Sequence, residues 1–544
     1  MRKNLFALLL FISLLAPSLA LAQAPVRVTP AERRIAETIT ADKLSNWLHF
    51  VASDAMAGRD TPSQGLDVTA EFLKMNLARW GFKPAGDNGT FFQKMALKTD
   101  SIDAEATRLK IGDRSFKLND DFFRFAGNGS VSGEMVFAGH GWVVKSKGVD
   151  AYAGVDVRDK VVVIYEPGFP AQNTLTRMPA GVTNADLTGT KGSDWADPVT
   201  HANANGAKGI IMMGSPQVDA AWGQVRNFLS RGSSYIEGLR DTPAAGQAMP
   251  VLLVSGTTGA EVLAGQSGTR DSKTAFAISK TAEISVAAKQ ETRMTQNVVA
   301  LWEGGDPVLK NEMVAIGAHY DHVGTNPNAP GDDKIYNGAD DDGSGTVALL
   351  AMAEALAVSK VRPKRSVLFV WHAGEEKGLW GAEYFNKFPT VDIKQVIAQL
   401  NIDMIGRSKK AGDTNPRNKD LSGPNEVYVI GSEMMSSTLG AITKGTNDAF
   451  QKLDYNYRYD DPKDTNRFFF RSDHFHYAVN GIPIVFWFTG VHEDYHQPGD
   501  HPDKIDYAKY EKITRTIFLT MWQLTDMRER PKVDKELPAE LRSR

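Results

Sequence analysis

The sequence contains no cysteine. Disulfides, thiol catalysis, iron–sulfur clusters and cysteine-ligated zinc are therefore excluded. Neither charge is in large surplus: 62 Lys and Arg stand against 65 Asp and Glu, a formal net charge of -3 over 544 residues. With no clustered basic run, no nucleic-acid partner is expected. Glycine (48) and proline (25) are near average usage, which leaves no room for a collagen-like or low-complexity array. Long hydrophobic runs are also missing. Beyond the N-terminus no segment carries 18 uninterrupted apolar residues, the length that would argue for a membrane span. What is there is a globular composition, 42% hydrophobic and 23% charged, in a chain long enough for roughly three to four domains.

The N-terminus is patterned. Arg2 and Lys3 precede an apolar run from Leu5 to Ala16, and Ala20-Leu21-Ala22 supplies small residues at A-x-A spacing. This predicts a signal peptide over residues 1–22, and hence an exported, periplasmic or extracellular protein with no membrane attachment after cleavage. The run is too short to cross about 30 Å of hydrocarbon, and without a cysteine it cannot be a lipoprotein anchor. Cleavage removes two positive charges, leaving about -5 (-3 minus 2). An exported chain without disulfides must rest on a large core or on bound metal.

Residues 41–83 read as helical, with Leu44, Trp47, Leu48 and Val51 at helical spacing and a second helix over 68–79. From about Gly133 the pattern changes to short strands at 135–138, 160–164, 209–213 and 251–254, with a helix near 198–207. Residues 165–195 and 214–248 read as long loops. After Thr295 strands alternate with helices: 297–302, 313–317, 366–371, 396–402 and 482–488, with the clearest helix over 346–358. That alternation predicts an α/β fold, a three-layer sandwich around a mixed, largely parallel twisted sheet. Ligands in such sheets bind beyond the carboxyl ends of the strands.

Those ends carry the chemistry. Strand 313–317 runs into Ala318-His319-Tyr320-Asp321-His322. Asp340-Asp341-Asp342 precedes the alanine-rich helix, and strand 366–371 runs into His372-Ala373-Gly374-Glu375-Glu376. Strand 396–402 is followed by Asp403, and strand 482–488 leads to Tyr495-His496. Eight of the eleven histidines lie between residues 319 and 501. Each stretch alone has an ordinary explanation: capping aspartates, a solvated Glu pair, a hydrogen-bonded histidine. Together they would repel one another unless cations neutralise them. Two divalent ions bring +4 against the -4 of Asp341, Glu375, Glu376 and Asp403. Imidazole and carboxylate without thiolate suit zinc or a similar first-row ion.

Five motifs, G-A-H-Y-D at 317–321, N-G-A-D-D-D-G-S-G at 337–345, H-A-G-E-E-K-G-L-W-G at 372–381, N-I-D-M-I-G-R at 401–407 and Y-H-Q-P-G-D at 495–500, occur in one order. In these the chain resembles the zinc-dependent aminopeptidases that include bacterial leucyl aminopeptidases, aminopeptidase Y and glutamate carboxypeptidase. The resemblance implies a phosphorylase/hydrolase-like fold and two zinc ions per chain. His319 and Asp403 would hold one, Glu376 and His496 the other, and Asp341 would bridge them. Glu375 would be the general base acting on a metal-bridged water, with Asp321 orienting His319 and Tyr495 steadying the oxyanion. Residues 44–96, including Gly58-Arg59-Asp60, resemble the family's leading helices. Tyr152-Ala153-Gly154-Val155-Asp156-Val157 resembles part of an inserted β-rich protease-associated domain. The implied division is 23–132 and 290–544 for the peptidase and 133–289 for the insert. The implied substrates are peptides or proteins, cleaved by an aminopeptidase more than by a carboxypeptidase.

Two other functions fit parts of the pattern: a single-zinc glutaminyl cyclase on a related sheet, and a non-catalytic peptide-binding module. A third candidate is local. His492-Glu493-Asp494-Tyr495-His496 is a literal H-E-x-x-H string, but that motif works only on a helix, and here Pro498-Gly499 follows. Arg407 and Arg471 lie near the motifs and read as structural; Trp380, Trp487 and Phe488 read as core. Oligomeric state is not legible.

Overall fold

The computed structural model describes residues 25–165, 178–229, 232–239 and 249–535. The expected signal segment lies outside them, as do parts of both expected loops. The chain divides into two compact units, Met1–Gln93 with Asn297–Arg544, and Lys94–Gln296.

In the first unit four strands run parallel at the centre of the sheet, in the order Ser366–His372, Met313–His319, Val396–Ile402, Ile484–Phe488. Residues 298–302 pair antiparallel on one side of this group, and Glu426–Ile430 antiparallel on the other. Asp454–Asn456 then adds in parallel. The first three central strands are buried at every position, as near-continuous runs of Val, Ile, Leu and Phe require when helices cover both faces.

Side chains alternate across such a sheet. Met313, Ala315, Leu368, Val370, Ile484 and Phe486 join one core with Phe385, Phe475 and Tyr477 from the helices Trp380–Lys387 and His474–Val479. On the other face, Trp371 donates its indole N–H to the Thr346 carbonyl at 3.0 Å. That carbonyl belongs to Gly345–Val358, a helix apolar all round and buried accordingly. Around it pack Ala41–Val51 and the 20-residue helix Tyr507–Asp526. The expected helical stretch at 41–83 is two helices, Ala41–Val51 and Gln64–Arg79. Ala57 (φ 47°) and Gly58 (φ 68°) break it with left-handed backbone.

The second unit is built on an eight-stranded mixed sheet. Gly129–Phe137, Val161–Tyr165, Gly209–Met213 and Val251–Val254 run parallel, and Phe276–Val286 and Phe122–Ala126 flank them antiparallel. The expectation of loop throughout 214–248 is corrected. Pro216–Ala220 and Trp222–Leu229 are helical, and Ser233–Ile236 is a strand. Ser215 caps the first of these by accepting the Val218 N–H, and Pro216 at its first position is pre-set for helix. Among the described residues no helix is long and apolar enough to cross a membrane.

Candidate metal centre

The acids and imidazoles gather beyond the carboxyl ends of the parallel strands of the first unit. Met313–His319 ends on His319 itself, and the chain then turns through Tyr320, Asp321 and His322, all buried. The Tyr320 N–H bonds to the His372 carbonyl at 3.0 Å, so the ends of neighbouring strands stay in register.

The three aspartates occupy a wide turn, 339–344, with non-helical backbone at Asp341 and Asp342 and a cis peptide bond between them. Gly338 opens it with φ 57°, and a Cβ there would lie 2.3 Å from the Asp341 carbonyl and 2.5 Å from the His322 ring. Only glycine fits. The outer two aspartates are braces. Asp342 accepts the Gly345 N–H at 2.8 Å and the Met404 N–H at 3.1 Å, and Asp340 accepts the Gly406 N–H at 2.6 Å. Asp500 accepts the N–H groups of Asp340 and Asp341 at 2.9 and 3.1 Å. The turn is thereby tied to the segment that follows Asp403, while the Asp341 carboxylate faces the histidines.

The five expected ligand residues come together. His319 Nε2 lies 3.3 Å from Asp341 and 3.7 Å from Asp403. His496 Nε2 lies 3.1 Å from the other Asp341 oxygen and 2.9 Å from Glu376. Glu375 is 4.0 Å from His319 Nε2. A further imidazole stands with them: His322 Nδ1 is 2.7 Å from Glu376 and 3.8 Å from Asp341. Two sets of atoms are close enough to share an ion, His319 with Glu375 and Asp403, and His322 with Asp341 and Glu376.

The donor set fits a divalent cation. Asp341 Oδ2, Glu376 Oε1, His322 Nδ1 and His496 Nε2 are buried and short of their neighbours, yet none is aligned in a hydrogen bond. Buried polar atoms are nearly always paired, and a cluster of them aimed at one another is what a bound ion satisfies. The charges agree. Burial opposes the His319 imidazolium, but Glu375 and the neighbouring carboxylates of Asp321, Asp341 and Asp403 outweigh it and raise its pKa well above the ordinary value. Burial drives Glu375 well above the usual carboxylate range, and Glu376, Asp403 and Asp473 push the same way against His319. This favours a carboxyl able to hold a proton.

Asp321 works differently from the expectation. The strand ends at His319, so alternation stops. The His319 Nδ1 partner at 3.1 Å is the main-chain carbonyl of Asp321, with its carboxylate 3.7 Å away. That carboxylate accepts the Glu375 N–H at 3.2 Å. Tyr495 stacks on His496 at 4.0 Å between ring centres, and its hydroxyl accepts from Arg471 at 3.3 Å. Burial, with Asp341 and Glu376, raises the phenol's pKa, so it stays protonated. The H-E-x-x-H string is not helical. His492 lies 3.3 Å from Asp340, and Glu493 is bonded to Asn415 and Asn418. Arg407 pairs with Asp494 at 2.9 Å and Asp500 at 3.5 Å. Trp487 is fully buried in the core.

Beneath the cluster lies Arg59, which carried no role in the sequence pattern beyond its motif. It is fully buried and donates to the carbonyls of Tyr320 (3.0 Å), Val51 (2.8 Å), Asn337 (2.7 Å) and Gly338 (2.9 Å). Burial lowers its pKa to about 10, against the pull of Asp321, Asp341, Asp342 and Asp500. A fully buried arginine is rare unless paired or bonded throughout, and G-R-D after a helix is the one sequence signal it left.

Two cavities open on the cluster. A recess of about 30 Å³ touches Asp341, Glu375, Glu376 and Asp403, and a wider cleft of about 710 Å³ begins at Glu375, Tyr495 and His496.

Strand-end acids, two imidazoles on one carboxylate and an unaligned donor cluster make a set of side chains that could hold a divalent ion. Residues 297–521 match the model of peptidase family M28, so the peptidase resemblance of the five motifs is shown over that stretch. The chain is similar to probable leucine aminopeptidase 2 of Aspergillus oryzae (strain ATCC 42149 / RIB 40), at 34% identity over 40% of this chain and 38% of the relative. The same-named protein of Aspergillus fumigatus (strain ATCC MYA-4609 / CBS 101355 / FGSC A1100 / Af293) is 32% identical over 39% and 36%. The chain thus spans well under half the length of these curated relatives. Among solved structures, an aminopeptidase from Aneurinibacillus sp. strain AM-1 aligns over 93% of this chain and 97% of its own, at 17% identity and a TM-score of 0.47.

Proposed function

We propose that the chain is an exported di-zinc aminopeptidase that releases N-terminal residues from peptides or proteins. The observation that carries this is the meeting of His319 and His496 on opposite oxygens of Asp341, at 3.3 and 3.1 Å, with Asp403 and Glu376 beside them. His319 and Asp403 would hold one ion, Glu376 and His496 the other, and Asp341 both. Zinc bound there brings Lewis acidity that polarises a carbonyl and lowers the pKa of water toward about 7. Glu375, its pKa raised by burial, takes the proton of the attacking water and returns it to the departing amine. Tyr495, protonated and tethered by Arg471, donates to the tetrahedral oxyanion. Asp321 fixes Glu375 through its main-chain N–H.

An aminopeptidase rather than a carboxypeptidase is supported by the leucine aminopeptidases that the chain resembles. Export is supported by the N-terminal charge and apolar pattern. The inserted unit is assigned to the protease-associated kind on its Tyr152–Val157 stretch before the strand Val161–Tyr165. The test is metal analysis and peptide digestion of the purified chain. Two zinc ions per chain and stepwise loss of N-terminal residues are expected. One ion, with ammonia released from N-terminal glutamine, would make it a cyclase instead.

A further inference from the structure

The helix Gln64–Arg79 is apolar on two opposite sides. One side carries Leu66, Ala70, Leu73 and Leu77, all buried in the first unit. The other carries Val68, Phe72 and Met75, spaced by four and three residues and therefore in one line along the helix. That second line faces outward: Val68 is 41% exposed and Met75 55%. The helix Ala41–Val51 widens it. Its Phe50, 39% exposed, meets the Phe72 ring at 4.6 Å between centres. Its Trp47 lies 6.0 Å from Trp80, and the Arg79 guanidinium sits 5.2 Å over that indole. Single exposed apolar residues are ordinary, but a contiguous apolar surface on a globular unit marks a place that something covers. A helix with apolar residues on both sides is built to be covered on both.

We propose that the cover is a second copy of the chain, packed through this face about a twofold axis with the two Gln64–Arg79 helices antiparallel. The order of charges along the helix selects that occupant and that direction. Asp67 and Glu71 fall in its first half, Lys74 and Arg79 in its second. Asp67, Glu71 and Lys74 share one flank of the apolar line, again at spacings of four and three residues. A twofold axis at right angles to the helix reverses its direction while keeping that flank against itself. The acids of each copy then meet the bases of the other, and Val68 of each copy lies toward Met75 of the other. A parallel pairing would set acid against acid. Glu71 and Lys74 pair within one chain at 2.8 Å, both exposed, an arrangement worth little alone. Across the axis two such pairs join into a four-charge cluster beside the apolar contact, where complementary charge fixes register and partner.

The test is the mass of the purified full chain in sedimentation velocity over a concentration series. A concentration-dependent species of twice the chain mass is expected. Met75→Glu places an unpaired charge inside the apolar contact and is expected to raise the dissociation constant at least about ten-fold. Glu71→Lys and Lys74→Glu, each alone, set like charges opposite one another and are expected to raise it several-fold. The double exchange restores the complement and is expected to return it close to the wild-type value. All three side chains are exposed in the lone chain, so these changes leave its core untouched. A single chain up to high micromolar concentration overturns the proposal. So does a dimer that Met75→Glu leaves intact, or a double exchange no tighter than either single one. A single chain that instead binds vesicles of phosphatidylglycerol and phosphatidylcholine, and loses them on Met75→Glu, gives the face to a lipid surface and overturns it too.

Discussion

His322 Nδ1 lies 2.7 Å from Glu376 Oε1, although His322 belongs to neither ligand pair implied by the motifs. Its ring meets that of His496 edge to face, at 5.6 Å between centres. A group so placed steers a ligand carboxylate, and losing such support typically costs about 10–100-fold in metal affinity. His322→Gln is expected to weaken zinc binding on that scale in a chelator competition, with kcat changing far less once zinc is saturating.

Glu375 and Glu493 are a matched pair for deciding which motif is catalytic. Glu375→Gln is expected to lower kcat by about 10²–10⁴-fold, the usual contribution of a general base, with both zinc ions retained. Glu493, bonded to Asn415 away from the cluster, is expected to tolerate the same change with little effect. Metal analysis beside steady-state rates checks both, and the reverse outcome would make H-E-x-x-H the active motif.

Arg59→Met should destabilise the fold by about 3 kcal/mol or more, read from the urea midpoint. It strips four buried carbonyls of their donor and removes a positive charge that Asp321, Asp341 and Asp342 feel.

His474 gives the fold an acid-sensitive arm. It is fully buried, its Nε2 bonded to the Phe469 carbonyl at 2.8 Å, and burial lowers its pKa from 6.5 to about 3. The unfolded chain therefore takes up a proton below about pH 6.5 that the folded chain refuses. Stability from this group is complete above pH 6.5 and lost as pH falls toward 3, up to about 3 kcal/mol by pH 4. His474→Gln, which keeps a donor, is expected to flatten that arm in urea melts between pH 7 and pH 4.

The strand-end chemistry was legible because buried parallel strands leave apolar runs that stop where polar function begins. His319, Glu375, Asp403 and His496 all stand just past such runs. His322 was not, because its approach to Glu376 depends on a turn that begins only after the strand ends. Nor were the brace roles of Asp340 and Asp342, which depend on N–H groups of Met404 and Gly406 sixty residues away. The bond from Asp321 to His319 was expected through a side chain and is made by a carbonyl for the same reason as His322. Among the helices, Tyr507–Asp526 escaped notice because threonines interrupt its apolar stripe. Several of them bond to carbonyls one turn back and so bury cheaply.

Arg59 precedes the 94–296 unit in the chain, and three of its four carbonyl partners follow it. The unit that carries the proposed site is thus a two-piece assembly at the level of covalent order: residues 297–544 expressed alone carry every proposed zinc ligand but not the guanidinium that knits their turns. Such a fragment should stay inactive until a peptide bearing residues 25–93 is supplied in trans, and complementation of that kind would convert the insertion point into a place to switch the enzyme on.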